Sequence, residues 1–265
     1  LVMSSLVDQV SLMQLYSLGA HRGNSRTTLN PRLKDRVYGF SNGLAVIDLV
    51  QTKHYLAKAA NLLTKVGQKR GQILVVGTSL HVQELVDNFV ASIPENQVAF
   101  VKHRWLGGTL TNWSTIRKTL RTLDKVSSMV KDRQFFDSLS RNEQLALQRK
   151  LDKLEKFFGG LTNLKNNKPA VLLAVDAKEQ AVVMREAEAM NIPIIAITNT
   201  KIEFLPKNLD YTVVCNTNSI NALRLILEIL ASAYNQGLAN SSTVIVNKSH
   251  SKTPVKENQP QLAAA

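Results

Sequence analysis

This sequence is poor in the side chains from which enzymes and metal centres are built. Its one cysteine, Cys215, cannot form an internal disulfide, so a reducing compartment is expected. Five histidines (His21, His54, His81, His103 and His250) are scattered, with no His-x-x-x-His pair and no paired cysteines. No metal ion and no other cofactor is therefore expected. No serine stands in a glycine-flanked elbow. Long apolar runs are missing as well: stretches such as Ile73–Val76 and Ala170–Val175 are far too short to cross a bilayer. The first residues show no basic region followed by a long apolar segment, so no secretory signal is expected. Acidic residues are the scarcer charge, 20 against 33 Lys+Arg, for a net +13. That excess favours polyanionic partners, which release counterions on binding.

What is present is enough for a core: 44% of the 265 residues are hydrophobic. Five short, mostly β-branched runs stand out, at 73–76, 98–101, 171–175, 194–197 and 212–215. None alternates between apolar and polar, which suggests strands buried on both faces, as in a parallel sheet covered by helices. Helical spacing of apolar residues lies between them, over 79–91, 178–190 and 219–234, and earlier over 50–66. Asn218 is placed to cap the helix that begins at Ser219. The alternation argues for an α/β core.

One connection, from Lys102 to Ala170, far exceeds the usual length. In it Ile116, Leu120, Leu123 and Val130 recur at near-heptad spacing, as do Leu147, Leu151, Leu154 and Phe158. Two such stretches joined through Arg133–Arg141 read as an antiparallel helical hairpin that projects from the sheet; a helical subdomain folded against the sheet is the alternative. After about Asn240 the chain is polar and without periodicity, which reads as a disordered tail.

Catalytic signals are weak. Gly77-Thr78-Ser79 is a strand-to-helix turn with one glycine, lacking both the further glycines of a dinucleotide fingerprint and the Gly-Lys-Ser/Thr of a phosphate loop. It could hold an anion at a helix N-terminus, but an ordinary turn is the plainer reading. Asp48 and Asp176 end apolar runs, where α/β enzymes place catalytic groups and where caps and turns also occur. An α/β enzyme taking a nucleotide or sugar phosphate at Gly77-Thr78-Ser79 is thus the alternative function.

Basic segments are stronger signals. Lys102-His103-Arg104-Trp105-Leu106-Gly107-Gly108 runs on to Thr109-Leu110-Thr111-Asn112-Trp113. Gly107 and Gly108 permit a sharp turn, Thr111 or Asn112 can cap the next helix, and Trp105 and Trp113 suit a structural hinge. Such a hinge would set Lys102, His103, Arg104, Arg117, Lys118 and Arg121 against phosphates. Near the start, Arg22, Asn24, Arg26, Asn30, Arg32, Lys34 and Arg36 lie among glycine, proline and polar residues, an irregular loop suited to the backbone of folded RNA. Lys53, Lys58, Lys65, Lys69 and Arg70 follow with no acid between Asp48 and Glu84; a solvated helix face is the plain alternative.

Val76-Gly77-Thr78, His103-Arg104-Trp105-Leu106-Gly107-Gly108 and Leu110-Thr111-Asn112-Trp113 resemble the signature segments of the bacterial-type small-subunit ribosomal protein two family. Order and spacing agree from about Leu12 to Tyr234, including Leu154-Glu155-Lys156 to Gly159-Gly160, Asp176, Glu186-Ala187, Ile192-Pro193 and Ile197. The resemblance implies a Rossmann-like, flavodoxin-type parallel sheet with helices on both faces and a coiled-coil hairpin. It implies a structural role without catalysis, between head and body of the small ribosomal subunit. The implied partners are small-subunit rRNA, neighbouring small-subunit proteins and, in many bacteria, the large RNA-binding ribosomal protein one. The implied location is the cytoplasmic bacterial ribosome, with a mitochondrial or plastid ribosome as the alternative.

Three departures stand out. Where the family usually has Gly-x-His-Phe-Gly-His, this chain has Gly19-Ala20-His21-Arg22-Gly23-Asn24, which puts any metal or packing role of the histidine pair in doubt. The usual Asp-Thr-Asn is Asn199-Thr200-Lys201, and the usual Asn-Asp-Asp is Asn216-Thr217-Asn218. The expected organisation is a basic segment over 1–36, an α/β domain over 37–111 and 160–237, the hairpin over 112–159 and the tail over 238–265.

Overall fold

Five strands make the central sheet: β4 (Ile73–Val76), β5 (Val98–Val101), β6 (Val171–Val175), β7 (Ile194–Thr198) and β8 (Thr212–Val214). The computed structural model that shows them describes residues 10–164 and 168–249, with side chains as far as residue 241. All neighbours are parallel, in the order β5-β4-β6-β7-β8. That is the doubly wound order of flavodoxin-type folds, with its switch point between β4 and β6.

The unbroken apolar runs are explained by burial on both faces. In β6, Val171, Leu173 and Val175 enter one core, while Leu172 and Ala174 enter the other. The first core is closed by α1 (Leu12–Ser17), α2 (Leu49–Gln68), α3 (Gln83–Ala91) and α8 (Ile220–Ser249). The second is closed by α7 (Ala181–Ala189) and by the sheet-proximal ends of α4 (Trp113–Lys131) and α6 (Arg141–Phe158). Each fully buried Leu or Val side chain contributes on the order of 1.5–3 kcal/mol.

Beside this sheet lies a smaller antiparallel one, order β1-β3-β2, made of β1 (Arg22–Ser25), β2 (Val37–Ser41) and β3 (Leu44–Ile47). The expected irregular loop is thus more ordered: β1 pairs with β3, and 3-10 turns cover Arg26–Thr28 and Pro31–Arg36. The boundary expected at residue 36 passes through this unit. Pairing with β3 supplies the backbone partners that the Gly-rich local sequence does not advertise.

The hairpin forms as its heptads indicate. Ile116, Leu120, Leu123 and Val126 of α4 and Leu151 and Phe158 of α6 are buried, with Leu147 and Leu154 partly so. The expected link carries a short helix, α5 (Arg133–Ser138). At the start of α6, both the N–H and the hydroxyl of Ser140 donate to Glu143, which holds that carboxyl below the usual carboxylate range. The last helix begins one residue later than expected: Ser219, not Asn218, accepts at its N-terminus, from the Ala222 N–H at 3.3 Å, while donating to the Leu18 carbonyl. This helix also continues through residues 238–249, so the expected tail starts later than residue 238; 250–265 lie outside the described residues. Among the described residues, no helix is long and apolar enough to cross a membrane.

Two tests follow from the first core. Helices α2 and α8 cross so closely that a Cβ on Gly67 would meet the Tyr234 carbonyl oxygen, and one on Gly237 the Thr64 carbonyl. Gly67→Ala should therefore destabilise by about 1–3 kcal/mol, seen as a lower urea midpoint with an unchanged slope. Cys215 is fully buried, and burial, with a smaller push from Asp176, raises its thiol pKa to about 12. Native protein should resist thiol alkylation at mildly alkaline pH, and urea-unfolded protein should react at once.

Candidate nucleic-acid interface

The segment after β5 turns sharply at Gly108, whose φ of +87° suits glycine. One carboxylate holds this turn. Glu186, on α7 and 9% exposed, accepts the indole N–H of Trp105 at 2.9 Å and the backbone N–H groups of Gly108 (2.8 Å), Leu110 (3.0 Å) and Thr111 (3.4 Å). Trp105 is thereby anchored between the sheet-covering helix and the root of the hairpin. Asn112 occupies the cap position of α4 but makes no side-chain bond to the helix backbone; its Oδ1 accepts from the hydroxyls of Ser114 and Thr115. The indole nitrogen of Trp113 is buried without a partner.

Cations flank this root. Lys102 pairs with Asp87 at 2.8 Å. His103 has its pKa drawn below the ordinary histidine value by burial, then by Lys156 and Lys102. Arg104, Arg117, Lys118 and Arg121 are exposed. None of these four takes part in a salt bridge among the described residues. The i, i+4 spacing keeps Arg117 and Arg121 on one flank of α4.

The N-terminal residues divide into two sets. Arg22, Arg26 and Lys34 are exposed, without an acidic partner among the described residues, and Arg26 lies 4.9 Å over the Phe40 ring. Arg32 and Arg36, in contrast, are committed to the fold. Arg32 donates to the carbonyls of Leu205, Pro206 and Lys207. Arg36 is 6% exposed, stacks 3.1 Å over Tyr55 and donates to the carbonyls of Thr212 and Leu209. Burial lowers its pKa, with Tyr55, Asp35 and Asp210 opposing. Arg36 therefore leaves the set of expected phosphate contacts. The carboxamide of Asn30 binds the Ile202 carbonyl and the Arg32 N–H, and Asn24 Oδ1 accepts from the Lys201 N–H, so both are chiefly fastenings.

The three departures from the family pattern meet in space. The Asn24 N–H donates to Thr200 Oγ1 at 2.8 Å, Asn199 reaches Asn216 at 3.5 Å, and Asn216 binds the Gly19 carbonyl. His21 stacks on Tyr16 at 4.2 Å, its Nδ1 buried without a partner. Amides and hydroxyls thus join the β1, β7 and β8 ends. Among the described residues, no group of three His, Cys, Asp or Glu could hold a metal ion.

The candidate nucleotide turn is occupied by its own side chains. Ser79 Oγ donates to Asp176 Oδ2 at 3.0 Å, with His81 Nε2 3.7 Å away. Asp176 is a buried turn former at φ +54°, and Asp48 caps α2 through the N–H groups of Val50 and Gln51.

The model of the Ribosomal protein S2 family matches residues 15–237. The chain belongs to this family. The small ribosomal subunit protein uS2 of Rickettsia canadensis (strain McKiel) is 32% identical over 237 residues, covering 89% of this chain and 78% of that protein. Its counterpart in Rickettsia massiliae (strain Mtu5) is 31% identical over the same shares, and that in Rickettsia conorii (strain ATCC VR-613 / Malish 7) 32%. Membership of the S2 family makes the chain a structural protein of the small ribosomal subunit.

Glu186→Ala should release the Trp105–Thr111 turn, since it strands three backbone donors and an indole N–H. Hydrogen bonds to charged groups contribute about 1.5–3 kcal/mol each. The expected outcome is faster amide exchange at residues 105–111 and altered tryptophan emission, with the exchange of β6 and β7 far less affected.

Proposed function

We propose that this S2 family member is a non-catalytic scaffold that grips folded small-subunit rRNA between the head and the body. Two groups of exposed cations make the grip. Arg22, Arg26 and Lys34 belong to the N-terminal unit, and Arg104, Arg117, Lys118 and Arg121 surround the hairpin root. Lys102 and His103 add polar contacts beside them. The observation that carries the reading is that these seven exposed cations have no acidic partner among the described residues, while Arg36 is buried and the exposed Arg32 donates to three backbone carbonyls. Unpaired cations on a rigid frame suit phosphates, which position a protein on RNA without reading its sequence.

Neighbouring small-subunit proteins, ribosomal protein one among them, are the protein partners of this reading. A bacterial cytoplasmic ribosome fits the bacterial relatives better than an organellar one.

The two sets of arginines should behave differently. Arg117→Gln with Arg121→Gln should lower the salt dependence of rRNA binding by about one phosphate contact each and leave stability within about 0.5 kcal/mol of the parent. Arg36→Ala should cost about 2–4 kcal/mol of stability, because it takes the guanidinium donor from the buried Thr212 carbonyl and removes the cation stacked on Tyr55. Filter binding across a salt series and chemical unfolding check both. Co-sedimentation with large subunits alone, or with no ribosomal particle, would refute the reading.

A further inference from the structure

One hairpin of the small antiparallel sheet leaves three large apolar side chains in solvent: Tyr38 (83% exposed), Phe40 (45%) and Leu44 (50%). Tyr38 is the most exposed aromatic among the described residues. Its place follows from the strand pairing. β2 is an outer strand of this sheet, and its register against β3 slips between Val37, opposite Ile47, and Gly39, opposite Val46. Tyr38 is therefore the extra residue of a bulge, a device that re-aims a side chain. A ring that stays in water contributes little to the core.

Cations surround this ring. From Arg22 to Ile47 the chain carries Arg22, Arg26, Arg32, Lys34 and Arg36 against one acid, Asp35. Arg32 and Arg36 are bonded to backbone carbonyls, and Asp35 acts on Arg36, where it opposes the lowering of the pKa. Arg22, Arg26 and Lys34 are exposed and have no acidic partner among the described residues. Arg26 is held against β2. Its backbone N–H donates to the Gly43 carbonyl at 2.9 Å, in the tight turn where Asn42 and Gly43 both have positive φ. Its guanidinium lies 4.9 Å over the Phe40 ring. The charge thus stands over a residue two positions along the strand from Tyr38, at most roughly 7 Å away in strand rise. That separation is within reach of a base and its own phosphate.

An aromatic face beside a fixed cation suits an unpaired nucleotide. Every base has a π face, so stacking tolerates any sequence, and aromatic side chains are a general means of holding unpaired RNA bases. A protein partner would also cover exposed rings, but three unpaired cations around them favour a polyanion.

We propose that the bulge at Tyr38 is a stacking platform for one unpaired nucleotide of small-subunit rRNA, its base on the Tyr38 ring and its phosphate on Arg26. The proposal rests on the rRNA-binding reading above and adds to it a contact that does not depend on charge.

The full-length protein is titrated against a small-subunit rRNA transcript across a salt series. The complex is then irradiated with ultraviolet light, which joins a stacked base and ring without a linker. Tyr38→Leu keeps an apolar side chain and removes the ring. It should weaken binding roughly five- to tenfold, leave the salt slope unchanged and remove the crosslink between the peptide of residue 38 and one unpaired nucleotide. Tyr38→Phe should bind as the parent does, because the ring face makes the contact. The side chain is exposed, so the urea midpoint should not move in either variant. Arg26→Gln should lower the salt slope by about one while weakening the same crosslink. Parent-like affinity and an unaltered crosslink pattern in Tyr38→Leu would overturn the proposal. Equal loss in Tyr38→Phe would assign the contact to the hydroxyl and overturn stacking. Unchanged rRNA affinity in Tyr38→Leu, with a neighbouring protein lost from reassembled small subunits, would also overturn it; the ring would then belong to a protein interface. Failure of the parent to bind rRNA at all would instead overturn the reading on which the proposal rests.

Discussion

A buried carboxylate and a loop of unpaired amides meet at Glu186, and the orientation of the hairpin follows from that meeting. An isolated buried carboxylate costs several kcal/mol, and backbone N–H groups at a sharp turn are costly without acceptors. The bonds from Trp105, Gly108, Leu110 and Thr111 meet both needs at once. The consequence is mechanical. The seam between α4 and α6 buries Leu120, Leu123, Val126 and Leu151 along its length, and Ile116 and Phe158 carry it into the second core at the root. Helix geometry sets the spacing of Arg117, Lys118 and Arg121, and Glu186 fixes the turn that joins them to Arg104.

The same economy appears in the N-terminal unit. Among its three strands only Ala45 and Ile47 are fully buried, too small a hydrophobic face for the sheet to stand alone. Arg32 and Arg36 bind this unit to the backbone that leads into β8, each reaching carbonyls more than 170 residues away in the chain. Inside the fold, an arginine supplies several fixed donors to carbonyls that would otherwise be stranded. Outside it, Arg22 and Arg26 keep their charge free for a polyanion. A net charge of +13 thus overstates the surface available to RNA, since part of it serves as internal fastening.

The sheet has the strand order of nucleotide-binding proteins, yet the features that grip a diphosphate are missing from its crest. Past the carboxyl ends of β4 and β6, Ser79 instead bonds to Asp176, which stands in an αL turn. Fold does not fix function, and here one architecture carries a scaffold role. The crevice between strand ends survives only as the small cavity beside Gln180.

The sequence by itself determined the strands, the hairpin and the family. Continuous β-branched runs can be buried on both faces only in a covered parallel sheet, and near-heptad leucines can pack only along a helical seam, so local pattern sufficed. His103 to Gly108 was specific enough to name the family from residues alone. Tertiary structure decided the strand order, the place of β1 in a second sheet, and which arginines face inward. It also decided the part played by Glu186, whose bonded partners lie 75 to 81 residues away in the chain. Nothing in a run of cations tells Arg36 from Arg26, because the difference lies in partners brought near by chain closure: the Tyr55 ring and the Thr212 carbonyl for one, solvent and the face of Phe40 for the other. Periodicity is a property of neighbours in sequence, whereas the pairing of a charge depends on neighbours in space.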